Sequence, residues 1–262
     1  EFKTNATGGG SAPRMDENEN FYIHAGSVAS MGSNIGGLYK IDRDKNILFE
    51  SYLRASNTVN CPLLSENYYL DCATDSWNES GILNIYDKNG KLLLSDRAPV
   101  DSVSVITQIK ENEIIFSRNY NGWNQPSRGH LYSYSILPNP AGIPVNNGPS
   151  NEIKIQHNWY FEMPENKAIT IPIVDGQGVL YFADSGGKVY AFDSSKGAVD
   201  KWKMSQDAVL WTLDLGLFKD EGGEKNKDDK IWHVNNLILD DKNVLYAVTE
   251  KGKVFAIGED KN

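Results

Sequence analysis

Apolar residues fall on alternate positions through much of the chain. Leu38-Tyr39-Lys40-Ile41-Asp42, Leu83-Asn84-Ile85-Tyr86-Asp87, Leu131-Tyr132-Ser133-Tyr134, Val189-Tyr190-Ala191-Phe192-Asp193 and Val254-Phe255-Ala256-Ile257 all follow this pattern. A period of two residues is that of a half-buried strand. No segment sustains the i, i+3, i+4 spacing of a helix; Ala198 to Asp207 comes nearest. Each alternating strand follows a polar turn and a strand rich in aromatic or aliphatic groups: Asn20-Phe21-Tyr22-Ile23, Asn67-Tyr68-Tyr69-Leu70, Glu113-Ile114-Ile115-Phe116, Val179-Leu180-Tyr181-Phe182 and Val244-Leu245-Tyr246-Ala247. Phe21, Tyr68, Ile114, Leu180 and Leu245 mark these copies at separations of 47, 46, 66 and 65 residues. A unit of about 45 residues, lengthened in two copies, matches a four-stranded propeller blade.

First strands precede these turns, and fourth strands follow at Ile47 to Leu53, Lys91 to Ser95, Trp159 to Phe161 and Leu210 to Leu213. The fifth copy reaches Asn262 without a fourth strand. Glu1 to Thr4 precede the first blade, where an outer strand belongs, and pairing them with Val254 to Ile257 would leave no open sheet edge. The expected architecture is all-β: a five-bladed propeller of four-stranded antiparallel blades, closed by the N-terminal strand, in one domain over residues 1–262.

Composition narrows the function more than it identifies it. With 26 Lys plus Arg against 35 Asp plus Glu, the formal net charge is −9, which argues against nucleic acid as a partner. No run of 18 apolar residues occurs, so no helical membrane span is expected. A chain that begins Glu1-Phe2 is expected to be processed or to be part of a longer protein. Cys61 and Cys72 do not have zinc-site spacing. They flank a hairpin turn centred near Glu66-Asn67, which sets them opposite each other as either a disulfide or two small buried thiols.

Several segments resemble reactive sites but read as turns. Ala183-Asp184-Ser185-Gly186-Gly187 has the look of a serine nucleophile sequence, yet it joins two strands of one repeat. Asp42, Asp44 and Asn46 have alternating calcium-ligand spacing but lack the glycine and distal glutamate of a calcium hand. No metal site is expected. His24, His130, His157 and His233 fall in different repeats, at ordinary strand or loop positions.

The loops carry the functional signal. The long second-to-third-strand loops of the first three copies contain Trp77, Asn78, Tyr120, Asn121, Trp123, Asn124 and Arg128. Trp232 and His233 approach the same face before the fifth copy. Loop tryptophans beside amides suit sugar stacking or a protein hot spot. The competing reading folds these aromatics back over the loop bases.

Gly178 to Asp193 resembles the repeat of PQQ-like β-propellers, Val244 to Ile257 is a second copy, and Glu1 to Ile23 looks like a fourth strand running into the next blade. The resemblance implies a propeller. The family includes quinoprotein dehydrogenases, scaffolds of the outer-membrane assembly type, and surface proteins. The dehydrogenases are far longer, and many carry adjacent cysteines over the cofactor, whereas Cys61 and Cys72 are not adjacent. No cofactor is therefore expected. The expected function is a non-catalytic binding or scaffold propeller of the cell surface, extracellular space or periplasm. It would present its loop face to a protein partner, as a monomer or as part of a larger surface protein. The alternative is a glycan-binding propeller using the loop tryptophans; a quinone-dependent oxidoreductase ranks behind both.

Overall fold

In the computed structural model, the residues described are 13–25, 36–53, 63–64, 67–74, 81–97, 105–110, 112–120, 128–140, 152–164, 169–196, 198–199, 203–217, 234, 236–249 and 251–258. Strands dominate them. The first sheet is β1 (Arg14–Met15), β2 (Phe21–Ala25), β3 (Gly36–Ile41) and β4 (Ile47–Leu53), in chain order. The second repeats that order with β5 (Leu63–Leu64), β6 (Tyr69–Thr74), β7 (Gly81–Tyr86) and β8 (Leu92–Arg97). Next come β9 (Val105–Lys110), β10 (Glu113–Tyr120), β11 (Arg128–Pro138) and β12 (Ile153–Glu162).

The fourth sheet takes β13 (Ile173–Val174), β14 (Val179–Ala183), β15 (Lys188–Asp193) and β18 (Val209–Asp214). Between β15 and β18 the chain forms β16 (Ala198–Val199) and β17 (Lys203–Met204), which extend the β9–β12 sheet to six strands by parallel pairing of β17 on β12. The nearest approach to a helical pattern thus becomes two short strands and a three-residue 3-10 turn at Gln206–Ala208, capped by the Ser205 side chain. Tertiary pairing overrides a weak local preference there. The last sheet has β19 (Asn236–Leu239), β20 (Leu245–Val248) and β21 (Val254–Ile257), with no fourth strand among the described residues.

One turn recurs between paired strands. An aspartate N–H donates to the carbonyl four residues on, its own carbonyl accepts from the third residue on, and its Oδ1 accepts backbone N–H groups. Asp16, Asp42, Asp87, Asp175, Asp184 and Asp240 all do this, and Thr249 substitutes its hydroxyl. The fourth residue of each turn has positive φ: Glu19, Lys45, Gly90, Gly178, Gly187, Asn243 and Gly252. Gly90 has a second reason to be glycine, since a Cβ there would meet the Phe49 ring at 2.5 Å. In four turns the aspartate's other oxygen accepts the hydroxyl of a tyrosine six residues on: Tyr22 at 2.8 Å, Tyr181 at 2.9 Å, Tyr190 at 2.9 Å and Tyr246 at 3.3 Å. Turn and following strand are thereby tied together. The spacings of Asp42 to Asn46 and of Ala183 to Gly187 are accounted for as two of these turns.

The chain divides into two compact units, Glu1–Phe116 with Tyr134–Gln156, and Ser117–Ser133 with His157–Asn262. In the first, Tyr22, Leu38, Tyr69 and Tyr86 form a buried cluster joined by Phe49 and Leu92. The Tyr22 and Tyr69 hydroxyls lie 2.6 Å apart. A phenol has one proton to give. With that of Tyr22 given to Asp16, that of Tyr69 closes on the Tyr22 oxygen, and Lys40 Nζ donates to Tyr69 at 3.3 Å. Burial, then the bonds with Tyr69 and Asp16, raises Tyr22 far above the ordinary phenol value. In the second unit, the edge-on Phe161–Phe192 pair at 4.9 Å and the stacked Phe182–Tyr190 pair at 5.2 Å fill one core. Ala183, Val189, Val234, Leu237, Leu245 and Ala247 fill another.

Candidate functional site

The loop residues singled out by sequence meet the structure at their strand ends. Tyr120 is the last residue of β10 and Arg128 the first of β11, so they bracket the mouth of one hairpin. Trp123 and Asn124 follow Tyr120 in the connection and lie outside the described residues, as do Trp77, Asn78, Trp232, His233 and Glu1 to Thr4. Cys61 is likewise outside them, while Cys72 stands on β6 opposite Leu83.

Immediately beyond Arg128, β11 and its neighbours carry a polar and aromatic row within the second unit. His130 Nδ1 lies 2.9 Å from the Tyr132 hydroxyl. Tyr132 stacks on Tyr160 of β12 with ring centroids 6.1 Å apart and an interplanar angle of 28°. Glu162, two residues past Tyr160, stands 4.0 Å from His130 Nε2 and 3.8 Å from Lys203 Nζ of β17. Tyr160 pairs in register with Lys203. The Met163 N–H donating to the Gly129 carbonyl at 2.9 Å holds the two long strands together at this end.

These side chains are placed by strand alternation. His130 and Tyr132 are two apart on β11, and Tyr160 and Glu162 two apart on β12, so each pair shares a face. Fractional exposure is 19% for His130, 29% for Glu162 and 47% for Lys203, so the row is half-open to solvent. Two ring faces with an acid, a base and an imidazole can stack a flat or apolar group while pairing its polar edges. Sequence reading placed His130 at an ordinary strand or loop position and did not single out Tyr132, Tyr160, Glu162 or Lys203, which meet only through the pairing of β11, β12 and β17. The signal was the polar or aromatic residues flanking a buried one in His130-Leu131-Tyr132 and in Tyr160-Phe161-Glu162. Among the described residues, no His, Cys, Asp and Glu cluster could hold a metal ion, and no helix is long and apolar enough to cross a membrane.

The fold is that of a β-propeller. Over 94% of this chain the structure is similar to the Dos1 propeller, with a TM-score of 0.55 and 13% identity. The chain spans 56% of that protein's length. A candidate 6-phosphogluconolactonase from Bacteroides fragilis matches 94% of this chain and 69% of its own at 12% identity, with a TM-score of 0.47. The WD40 β-propeller domain of Doa1 matches 98% of this chain and 92% of its own at 9% identity, with a TM-score of 0.40. No protein-family model matches the sequence, and no curated protein matches it.

Proposed function

We propose that the chain is a non-catalytic binding or scaffold propeller of the cell surface or periplasm, which offers one face to a protein partner. In this reading its five sheets are five blades of one PQQ-like domain over residues 1–262, and Glu1 to Thr4 supply the outer strand of the β19–β21 blade. The observation that carries the binding reading is the half-open row of His130, Tyr132, Tyr160, Glu162 and Lys203 beside the Tyr120–Arg128 hairpin mouth. Stacked aromatics among charged groups, partly shielded from water, have the make-up of an interface hot spot. The second reading is a glycan site on Trp77 and Trp123, since sugar rings lie on aromatic faces.

One experiment separates the two. The chain and its Tyr160→Ala and Trp123→Ala variants are displayed as bait for crosslinking in extracts of the source cells' surface fraction, and in parallel on a glycan array. The protein-binding reading expects a reproducible crosslinked protein, weakened about ten-fold in Tyr160→Ala. Array hits lost in Trp123→Ala, with no crosslinked protein, would replace that reading with the glycan one.

A further inference from the structure

β18 closes one side of its sheet, pairing with β15 and with no other strand among the described residues. An outer strand of a packed sheet ordinarily buries one face. Here every residue from Leu210 to Asp214 is exposed, with Leu210 at 49%, Trp211 at 39% and Leu213 at 39%. Both faces therefore present apolar side chains to solvent. Val209 to Leu213 contains none of the lysines, prolines or glycines that protect free edges.

The backbone adds direction. Leu215 N–H donates to the Gly187 carbonyl, and Leu213 and Trp211 pair with Val189 and Ala191. In an antiparallel ladder the N–H and C=O of alternate residues point the same way. Leu213 and Trp211 thus turn their groups toward β15, and Thr212 turns its N–H and C=O toward the open edge. Charge limits what can pair there. Exposed Asp207 and Asp214 bracket the apolar stretch, on a chain whose formal net charge is −9.

We propose that β18 is a strand-addition site for an extended segment of a partner protein, apolar at its centre and carrying Lys or Arg at its ends. Backbone hydrogen bonds to the Thr212 edge supply affinity, and the apolar and acidic side chains supply selection. A second copy of this chain is the weaker occupant, because it would bring acidic ends to an acidic surface. The site lies on a different sheet from the His130 to Lys203 row and does not depend on it.

The test uses the full chain and a fluorescent peptide, Lys-Val-Thr-Ile-Thr-Val-Lys, followed by anisotropy. Wild type is expected to bind, and Thr212→Ala to bind equally. Thr212→Pro removes the outward N–H while keeping the β15 bonds, and should weaken binding about ten-fold or more. Leu210→Lys with Leu213→Lys, which leaves the backbone intact, should do the same if the proline disturbs folding. Replacing the terminal lysines of the peptide by glutamate should also weaken binding about ten-fold. Tyr160→Ala should leave peptide binding unchanged. Absence of binding to wild type, or equal binding by both edge variants, overturns the proposal. So does self-association of the wild type abolished by Thr212→Pro, which would assign the edge to a second copy.

Discussion

Asp184 shows what a single side chain does in this fold. It is 1% exposed, and its carboxylate accepts Gly186 N–H at 2.8 Å, Lys188 N–H at 3.0 Å and the Tyr190 hydroxyl at 2.9 Å. Alanine would strand three donors in a closed turn. Asp184→Ala is expected to cost about 2–3 kcal/mol in urea unfolding. Asp240→Ala, which breaks the same set of bonds in a solvated turn, should cost clearly less. Equal losses would show that burial does not set the strength of the motif. Asn84 presents the reverse case. It is fully buried on β7, in register between Asp71 and Ser95, yet neither its Nδ2 nor its Oδ1 has a hydrogen-bond partner. A buried amide with no partner is a net cost, and leucine has nearly its volume. Asn84→Leu is therefore expected to raise stability by about 1 kcal/mol, seen as a higher Tm. A lower Tm would show that the amide meets a bound group.

At the scale of elements, the aspartate turns make a shared prediction about acid. For Asp16, burial pushes the carboxyl upward, but bonds from the Asn20 side chain and backbone, Tyr22 and Asn18 outweigh it, and the net shift is downward. The side-chain bond from Asn46 leads in lowering Asp42, that from Ser195 in lowering Asp193, and the Val244 N–H in lowering Asp240. A depressed folded value means stability that is complete above the unfolded value, near 3.8, and that drains away as pH falls through the lower folded values. Urea midpoints should hold steady from neutrality to about pH 5, then fall steeply below about pH 4. A midpoint already falling between pH 7 and 5 would point to another group.

The second hairpin makes a separate prediction. Leu63 pairs with Leu70 and Leu64 with Tyr69. Cys61 precedes Leu63 by two residues in sequence and Cys72 follows Leu70 by two; of the two alternatives, a disulfide or a pair of thiols, we propose the disulfide for an oxidising compartment. Intact mass after alkylation without reductant should then lack both adducts; two adducts would leave them as thiols.

Much of this level was legible in the sequence. The fourth strand read at Ile47 to Leu53 coincides with β4, because the alternating third strand and the Asp42 turn after it fix where its antiparallel partner begins. The aspartate–tyrosine tie was not legible as a motif: its two residues sit six apart, across a turn, and only the positive-φ turn geometry brings them together. The His130 row was not legible either, because Lys203 joins it only through the parallel pairing of β17 on β12.

At the scale of the whole molecule, the open question for a repeat protein is what covers its last sheet. β21 pairs with β20 alone among the described residues, and its residues alternate between exposed Val254 and Ala256 and half-buried Phe255 and Ile257. An uncovered edge exposes a row of backbone groups, and propellers ordinarily avoid this by completing the final blade. If Glu1 to Thr4 form that strand, as proposed, closure joins the two ends of the chain across every intervening repeat. Loss of the strand should then be felt by the entire ring, because nearest-neighbour coupling otherwise leaves terminal repeats free to fray. Deleting residues 1–4 is expected to speed amide exchange at Val254 to Ile257 by about ten-fold or more, and to lower Tm by several degrees. The internal turns at Asp175 and Asp184 should keep their protection until the global transition. Unchanged exchange across β21 in the shortened chain would mean that the N-terminal strand pairs elsewhere, and the blade count would then have to be read without it.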